Sequence, residues 1–157
     1  MSEYQLAAFL FDSLKNGGIK KFIDTNLFND VYIDREVGNS SYISDICITA
    51  NSKNKSDKTI IAIEVKISDW ENGLYQAWRY KNFAEQSFLA IYRPFSKSVD
   101  TKEFVKNNIG LIIFDEKGFD VVIYPETNSF SENTYGCGLR EKIFGNLLNA
   151  KYICPAL

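Results

Sequence analysis

Residues 59–67 (TIIAIEVKI) place two charges, Glu64 and Lys66, near the end of a run of strand-forming residues. Charge within an apolar strand is costly unless something pairs with it. Side chains alternate across a strand. Ile60, Ala62, Glu64 and Lys66 therefore share one face, and Ile61, Ile63 and Val65 the other. The preceding strand-like run, residues 42–49 (YISDICIT), carries Asp45 on the face of Ile43 and Cys47. If the two runs pair as a hairpin, Asp45 stands beside Glu64. Two carboxylates about 4 Å apart repel by roughly 4 kcal/mol at an effective dielectric near 20. A divalent cation between them converts that cost into binding. Lys66, at the edge, then offers positive charge to a phosphate or to a metal-bound water.

The elements that must position these residues follow from periodicity and turn signals. Residues 3–15 read as a helix, because Leu6, Phe9, Leu10 and Leu14 recur at helical spacing and Asn16-Gly17-Gly18 stops it. Residues 31–37 alternate as a strand, 38–41 form a turn, 42–49 form the next strand, and polar residues 51–58 form a loop. The third strand, 59–67, is apolar on both faces at its start, which marks it as central. Ser68 with Glu71 fits a capping box opening a helix to about residue 85. A short strand at 88–92, closed by Pro94, and a short helix at 100–107 follow. Two strands, 109–114 and 119–124, flank the hairpin signal Asp115-Glu116-Lys117-Gly118. Beyond residue 125 the pattern is less regular, with a helix expected near 139–148.

This order predicts an α/β fold. An antiparallel meander of three strands is followed by a helical crossover to a parallel strand, with helices flanking the mixed sheet. Repeats, low-complexity tracts and linkers are absent from the sequence. One domain over residues 1–157 is expected, with a core at about 3–92 and a hairpin and helix added at 98–157.

Asp45, followed by Glu64-Val65-Lys66, resembles the motif of the PD-(D/E)XK, or restriction-endonuclease-like, nuclease superfamily. The helix, three strands, helix, strand order matches that family's core. Gln76-Ala77-Trp78-Arg79-Tyr80 fits the Q-x-x-x-Y helix motif of its RecB-like exonuclease branch, with Gln76 and Tyr80 on one helix face. The resemblance covers roughly residues 31–92. One departure is Ser44, where the motif has proline before the aspartate, a position with no ligand role. An acid-x-Lys triplet alone is weak, since Asp100-Thr101-Lys102 and Asp115-Glu116-Lys117 also match. Only Glu64-Val65-Lys66 lies in a central strand with an acid on the strand before it.

The resemblance implies a central mixed sheet with a restriction-endonuclease-like core and hydrolysis of DNA phosphodiester bonds. It implies Mg²⁺ or Mn²⁺ held by Asp45, Glu64 and the Val65 backbone carbonyl. Lysine is a cation near neutral pH, so Lys66 would orient water and hold the phosphate. Gln76 and Tyr80 would position the site or the substrate backbone. The family often adds an acidic ligand from the first helix, for which Glu3 is the candidate. Glu36 on the first strand is the other option.

Composition narrows the chemistry further. The chain has no histidine, which excludes His-based acid–base chemistry, Ser-His and Cys-His pairs and His-metal sites. Its three cysteines, Cys47, Cys137 and Cys154, have neither zinc-type spacing nor a disulfide framework. The net charge of −2 gives no global attraction to nucleic acid. DNA would need a local basic patch, and Lys53, Lys55, Lys58, Arg79, Lys81 and Arg93 are its candidates. No apolar run approaches the roughly 18 residues that span a membrane. Glu3 stands where a signal peptide needs positive charge, so a cytoplasmic location with no membrane contact is expected.

A reading from a different class stays open: a nuclease-fold protein with little or no cleavage, used to bind a protein or nucleic acid. The acidic pI of about 5.2 and the lack of a separate DNA-binding domain favour it. Tyr135-Gly136-Cys137-Gly138 and the apolar end (Tyr152, Ile153, Leu157) would then serve a homodimer or protein partner, or equally close the core. A structural domain with a chance motif is the third reading.

Overall fold

The first helix, Glu3–Lys15 (α1), begins at Ser2, whose hydroxyl accepts from the Gln5 N–H while the Gln5 side chain accepts from the Ser2 N–H. This capping box satisfies two of the N–H groups that a helix start leaves open. A computed structural model of the chain describes residues 1–39, 42–52, 57–130, 137–145 and 153–155. After α1 come three antiparallel strands: Phe28–Asn39 (β1), Tyr42–Ser52 (β2) and Lys58–Lys66 (β3). Helix Trp70–Tyr80 (α2) then crosses over to Gln86–Tyr92 (β4), which runs parallel to β3. Helix Thr101–Asn107 (α3) makes a second crossover to Gly110–Asp115 (β5), parallel to β4. Gly118–Ile123 (β6) returns antiparallel. Helix Cys137–Gly145 (α4) and strand Ile153–Pro155 (β7), antiparallel to β1, follow. The sheet order is β6-β5-β4-β3-β2-β1-β7. The fold is the expected α/β class, a mixed sheet with helices on its faces.

Strand parity assigns the layers. Ile61, Ile63 and Val65 of β3 pack with Leu6, Leu10 and Leu14 of α1 on one face. On the other face, Ile60 and Ala62 pack with Cys47, Tyr80 and Phe83, and Ile143 of α4 joins them. A third cluster joins Leu74 of α2 to Leu89, Phe104 and Ile113. β3 thus lies between two helical layers, and β4 is buried on both sides as a parallel strand requires.

Two local expectations change. The cap of α2 is Asp69 rather than Ser68, and its carboxylate accepts from the Asn72 N–H at 3.3 Å. The helix ends at Tyr80, not near residue 85. Asn82 and Phe83 donate to the Arg79 and Tyr80 carbonyls, which tightens the last turn. The reason is the neighbouring strand. The Glu85 N–H must donate to the Ile60 carbonyl, so that Gln86 begins the parallel ladder beside Ile61. Short 3₁₀ turns at Gly18–Lys21 and Arg93–Ser98 carried no periodic signal. Among the described residues, no helix is long and apolar enough to cross a membrane.

Candidate active site

β2 and β3 pair regularly up to Ile46 opposite Ile63. The next residues in register would be Asp45 and Glu64, and there the ladder stops. β2 continues along β1, while Glu64, Val65 and Lys66 continue along β4. The two strands fork at the two acids. Asp45 Oδ2 bridges the fork by accepting from the Val65 N–H at 2.7 Å. A side chain thus supplies the acceptor that a strand neighbour would have supplied. In an extended strand a residue's N–H and C=O leave on the same side, so the Val65 carbonyl faces the Asp45 edge too.

Glu64 is 4 % exposed. Burial, then the nearby Asp45 charge, push its carboxyl up to about 7. Burial also raises Asp45, against the opposing pull of the Val65 N–H. Tyr80 Oη lies 2.5 Å from Glu64 Oε2 and 2.6 Å from the Ile43 carbonyl oxygen. A phenol has one proton to donate. The Tyr80 hydroxyl donates toward both oxygens, its single proton shared between the Glu64 carboxylate and the Ile43 carbonyl. The fork is thereby closed by a chain running from β3 through α2 to β2.

Lys66 Nζ sits 3.6 Å from Glu64 Oε1 and 3.5 Å from Glu3 Oε1. These are ion-pair distances, longer than well-formed hydrogen bonds. Glu3 is fixed by its other oxygen, which accepts from the Ile67 N–H at 3.1 Å. The first helix therefore does bring an acid to the end of β3. The alternative, Glu36, is exposed and has φ +55°, opposite Asp45 where β1 loses a ladder pair. The Lys66 stem runs under α2 at Gly73. A Cβ there would stand 2.6 Å from Lys66 Cγ and 2.6 Å from Leu89 Cδ1. The sequence reading missed Gly73, and a glycine inside a strongly amphipathic helix was the available signal. Gln76 lies one turn before Tyr80, and its Oε1 is buried with no hydrogen-bond partner among the described residues.

The structure thus gathers Asp45, Glu64, Val65, Lys66 and Tyr80, with Gln76 on the same helix face. Asp45 and Glu64 could hold a hard cation together with the Val65 carbonyl. Among the described residues, no three His, Cys, Asp or Glu side chains gather as a metal cage. The described basic candidates each have partners of their own. Lys53 and Lys55 lie outside the described residues, as do Tyr135, Gly136, Tyr152 and Leu157. Lys58 Nζ lies 5.1 Å from the Phe144 ring centroid, and Lys81 Nζ donates to the Asn107 carbonyl at 2.9 Å. Arg93 is held by Asp115 at 2.7 Å and Asp120 at 3.0 Å. Arg79 covers the Tyr42 ring at 4.8 Å. Arg35, not anticipated, packs over the Tyr4 ring at 4.0 Å and pulls on the Asp45 carboxyl.

No family model matches the chain, and neither does any curated protein. Among solved structures it is similar to the SPO1766 protein of unknown function from Silicibacter pomeroyi. The two share 16 % identity and a TM-score of 0.58, over 95 % of this chain and 88 % of that one. At that identity the likeness concerns the fold alone.

Proposed function

We propose that the chain is a divalent-metal-dependent nuclease that hydrolyses DNA phosphodiester bonds. The observation that carries this reading is the fork at Asp45 and Glu64. Two acids of adjacent strands meet where the ladder ends, with one of them buried and held near neutrality. Burying a carboxylate beside another is unfavourable, and a cation relieves it. The donor set fits Mg²⁺ or Mn²⁺. Two carboxylates and a backbone carbonyl are hard oxygen donors, and Mg²⁺ binds through one or two carboxylates plus water and phosphate rather than a full protein cage. A bound ion supplies Lewis acidity toward water and phosphate oxygen.

The chain's own residues do the rest. Asp45 is oriented by the Val65 N–H, which leaves its second oxygen for the fork. Glu64 is oriented by Tyr80. Lys66 offers its ammonium to the scissile phosphate, exchanging its pairs with Glu64 and Glu3 for that contact. Gln76 holds a buried carbonyl oxygen with no partner among the described residues, able to accept from a donor on the substrate or on water.

The alternative, a nuclease-fold binding module with little or no cleavage, draws on those same Lys66 ion pairs, which satisfy the charges without a substrate. Incubating the chain with single- and double-stranded DNA in Mg²⁺, Mn²⁺ or EDTA separates the two. Cleavage in metal, none in EDTA, and none by Asp45→Asn is expected. Wild-type chain inert on every substrate in both metals would favour the binding module.

A further inference from the structure

We infer that the outer face of α2 is a stacking platform that delivers a single-stranded nucleic acid to the Asp45–Glu64 fork. This deepens the nuclease reading and rests on it for the destination of the strand. The inner face of α2 is conventional, with Gly73, Leu74, Ala77 and Tyr80 buried. The outer face is polar at Glu71 and Asn72, but it also presents two large aromatic rings. Tyr75 is 58 % exposed and Trp78 48 % exposed. Their rings stack on each other at 6.2 Å with an interplanar angle of 22°. Arg79 lies over the Tyr42 ring at 4.8 Å and reaches the Tyr75 ring at 6.0 Å. A single exposed aromatic needs no explanation. Two stacked exposed rings, one of them reached by an arginine, on the helix that also carries Gln76 and Tyr80, do.

The chemistry of this surface selects its occupant. Every base has a π-face, so stacked rings bind unpaired bases without reading sequence, and arginine adds cation–π contact and a phosphate partner. In a duplex those base faces are covered by their neighbours, which favours a single strand. The charges of α2 are polarised in the same sense. Asp69 and Glu71 stand at its start, while Arg79 stands at its end, next to Tyr80, whose hydroxyl reaches Glu64. Phosphates are therefore drawn toward the end whose Tyr80 hydroxyl reaches Glu64. The opposite side of the fork repeats the pairing: Tyr4 is 59 % exposed and lies under Arg35, next to Glu3.

The test measures binding in EDTA, where cleavage cannot occur, using fluorescence anisotropy of a labelled oligo-dT and of a matched duplex. The full chain is compared with Trp78→Ala and Tyr75→Ala, both exposed positions, with melting curves confirming folding. The wild type should bind the single strand more tightly than the duplex. Each ring removal should weaken single-strand binding about ten-fold and leave duplex binding unchanged. Equal or tighter duplex binding, or variants that hold oligo-dT like the wild type, would overturn the platform. So would self-association of the wild type that Trp78→Ala abolishes, since the rings would then cover a second copy. The two readings fail separately. Ring-dependent binding without cleavage in metal removes the nuclease and leaves the platform. Cleavage indifferent to both rings removes the platform and leaves the nuclease.

Discussion

The Asp45 carboxylate accepts the Val65 N–H at 2.7 Å, across the gap where β2 and β3 part. Asp45 is therefore both a negative charge beside Glu64 and a structural acceptor. Two substitutions separate these roles. Asp45→Ala removes both and leaves the buried Val65 N–H without its acceptor, a cost of about 1–3 kcal/mol. Asp45→Asn keeps an acceptor and removes the charge that raises Glu64. Urea unfolding of the metal-free chain should place Asp45→Asn at or above wild type and Asp45→Ala below Asp45→Asn. Equal stabilities for the two variants would show that the bond holds nothing.

The buried Glu64 predicts a pH dependence. Its folded-state pKa, about 7, lies above the ordinary value of 4.5. Between those values the folded chain keeps a proton that the unfolded chain has lost. Stability from this group is therefore highest below about pH 4.5, falls as pH rises toward 7, and levels off above. The total is on the order of 3 kcal/mol. Unfolding curves of wild type and Glu64→Gln from pH 4.5 to 8 should diverge through this window, with the variant the more stable at the upper end. Parallel curves would mean that Glu64 is ionised throughout in the folded chain.

A cation that binds only the folded state raises the melting temperature by mass action. Mg²⁺ or Mn²⁺ should raise that of the wild type more at pH 8 than at pH 5.5, because Glu64 is ionised only at the higher value. Asp45→Asn should show a much smaller rise. An equal rise in wild type and variant would remove Asp45 from the ligands.

The alternation of side chains and the short connection between two strands suffice to place Asp45 beside Glu64. The fork is not legible in that pattern, because where two strands separate is decided by the partners on their far sides. Here β1 holds β2, and β4 holds β3. Glu3 was legible as a candidate, but its arrival depends on α1 packing across the sheet through Leu6, Leu10 and Leu14. The cap of α2 moved from Ser68 to Asp69 because both residues have cap chemistry and only the path of the chain out of β3 selects one. The Tyr75–Trp78 stack was hidden because its spacing reads as an ordinary helix face until burial is known.

Gly73 gives a test of packing against propensity. Alanine is favoured over glycine in a helix by about 1 kcal/mol. At this position a Cβ would meet Lys66 Cγ and Leu89 Cδ1, each at 2.6 Å. Overpacking of this kind costs about 1–3 kcal/mol, so Gly73→Ala should lower stability in thermal unfolding despite its better propensity. It should also displace Lys66 and slow cleavage. A variant more stable than wild type would show that the Lys66 stem moves aside freely.

In the proposed nuclease, Lys66 acts on the phosphate while Asp45 and Glu64 hold the cation. Single-turnover cleavage with saturating enzyme, run beside metal titration of the same preparations, separates the two roles. Lys66→Ala should bind Mn²⁺ about as well as wild type, since both carboxylates remain, yet cleave slower by roughly a hundred-fold or more, as expected when a charge made available to the transition state is lost. Wild-type cleavage rates for Lys66→Ala, or loss of metal binding in that variant with both carboxylates intact, would show that Lys66 does not have this role.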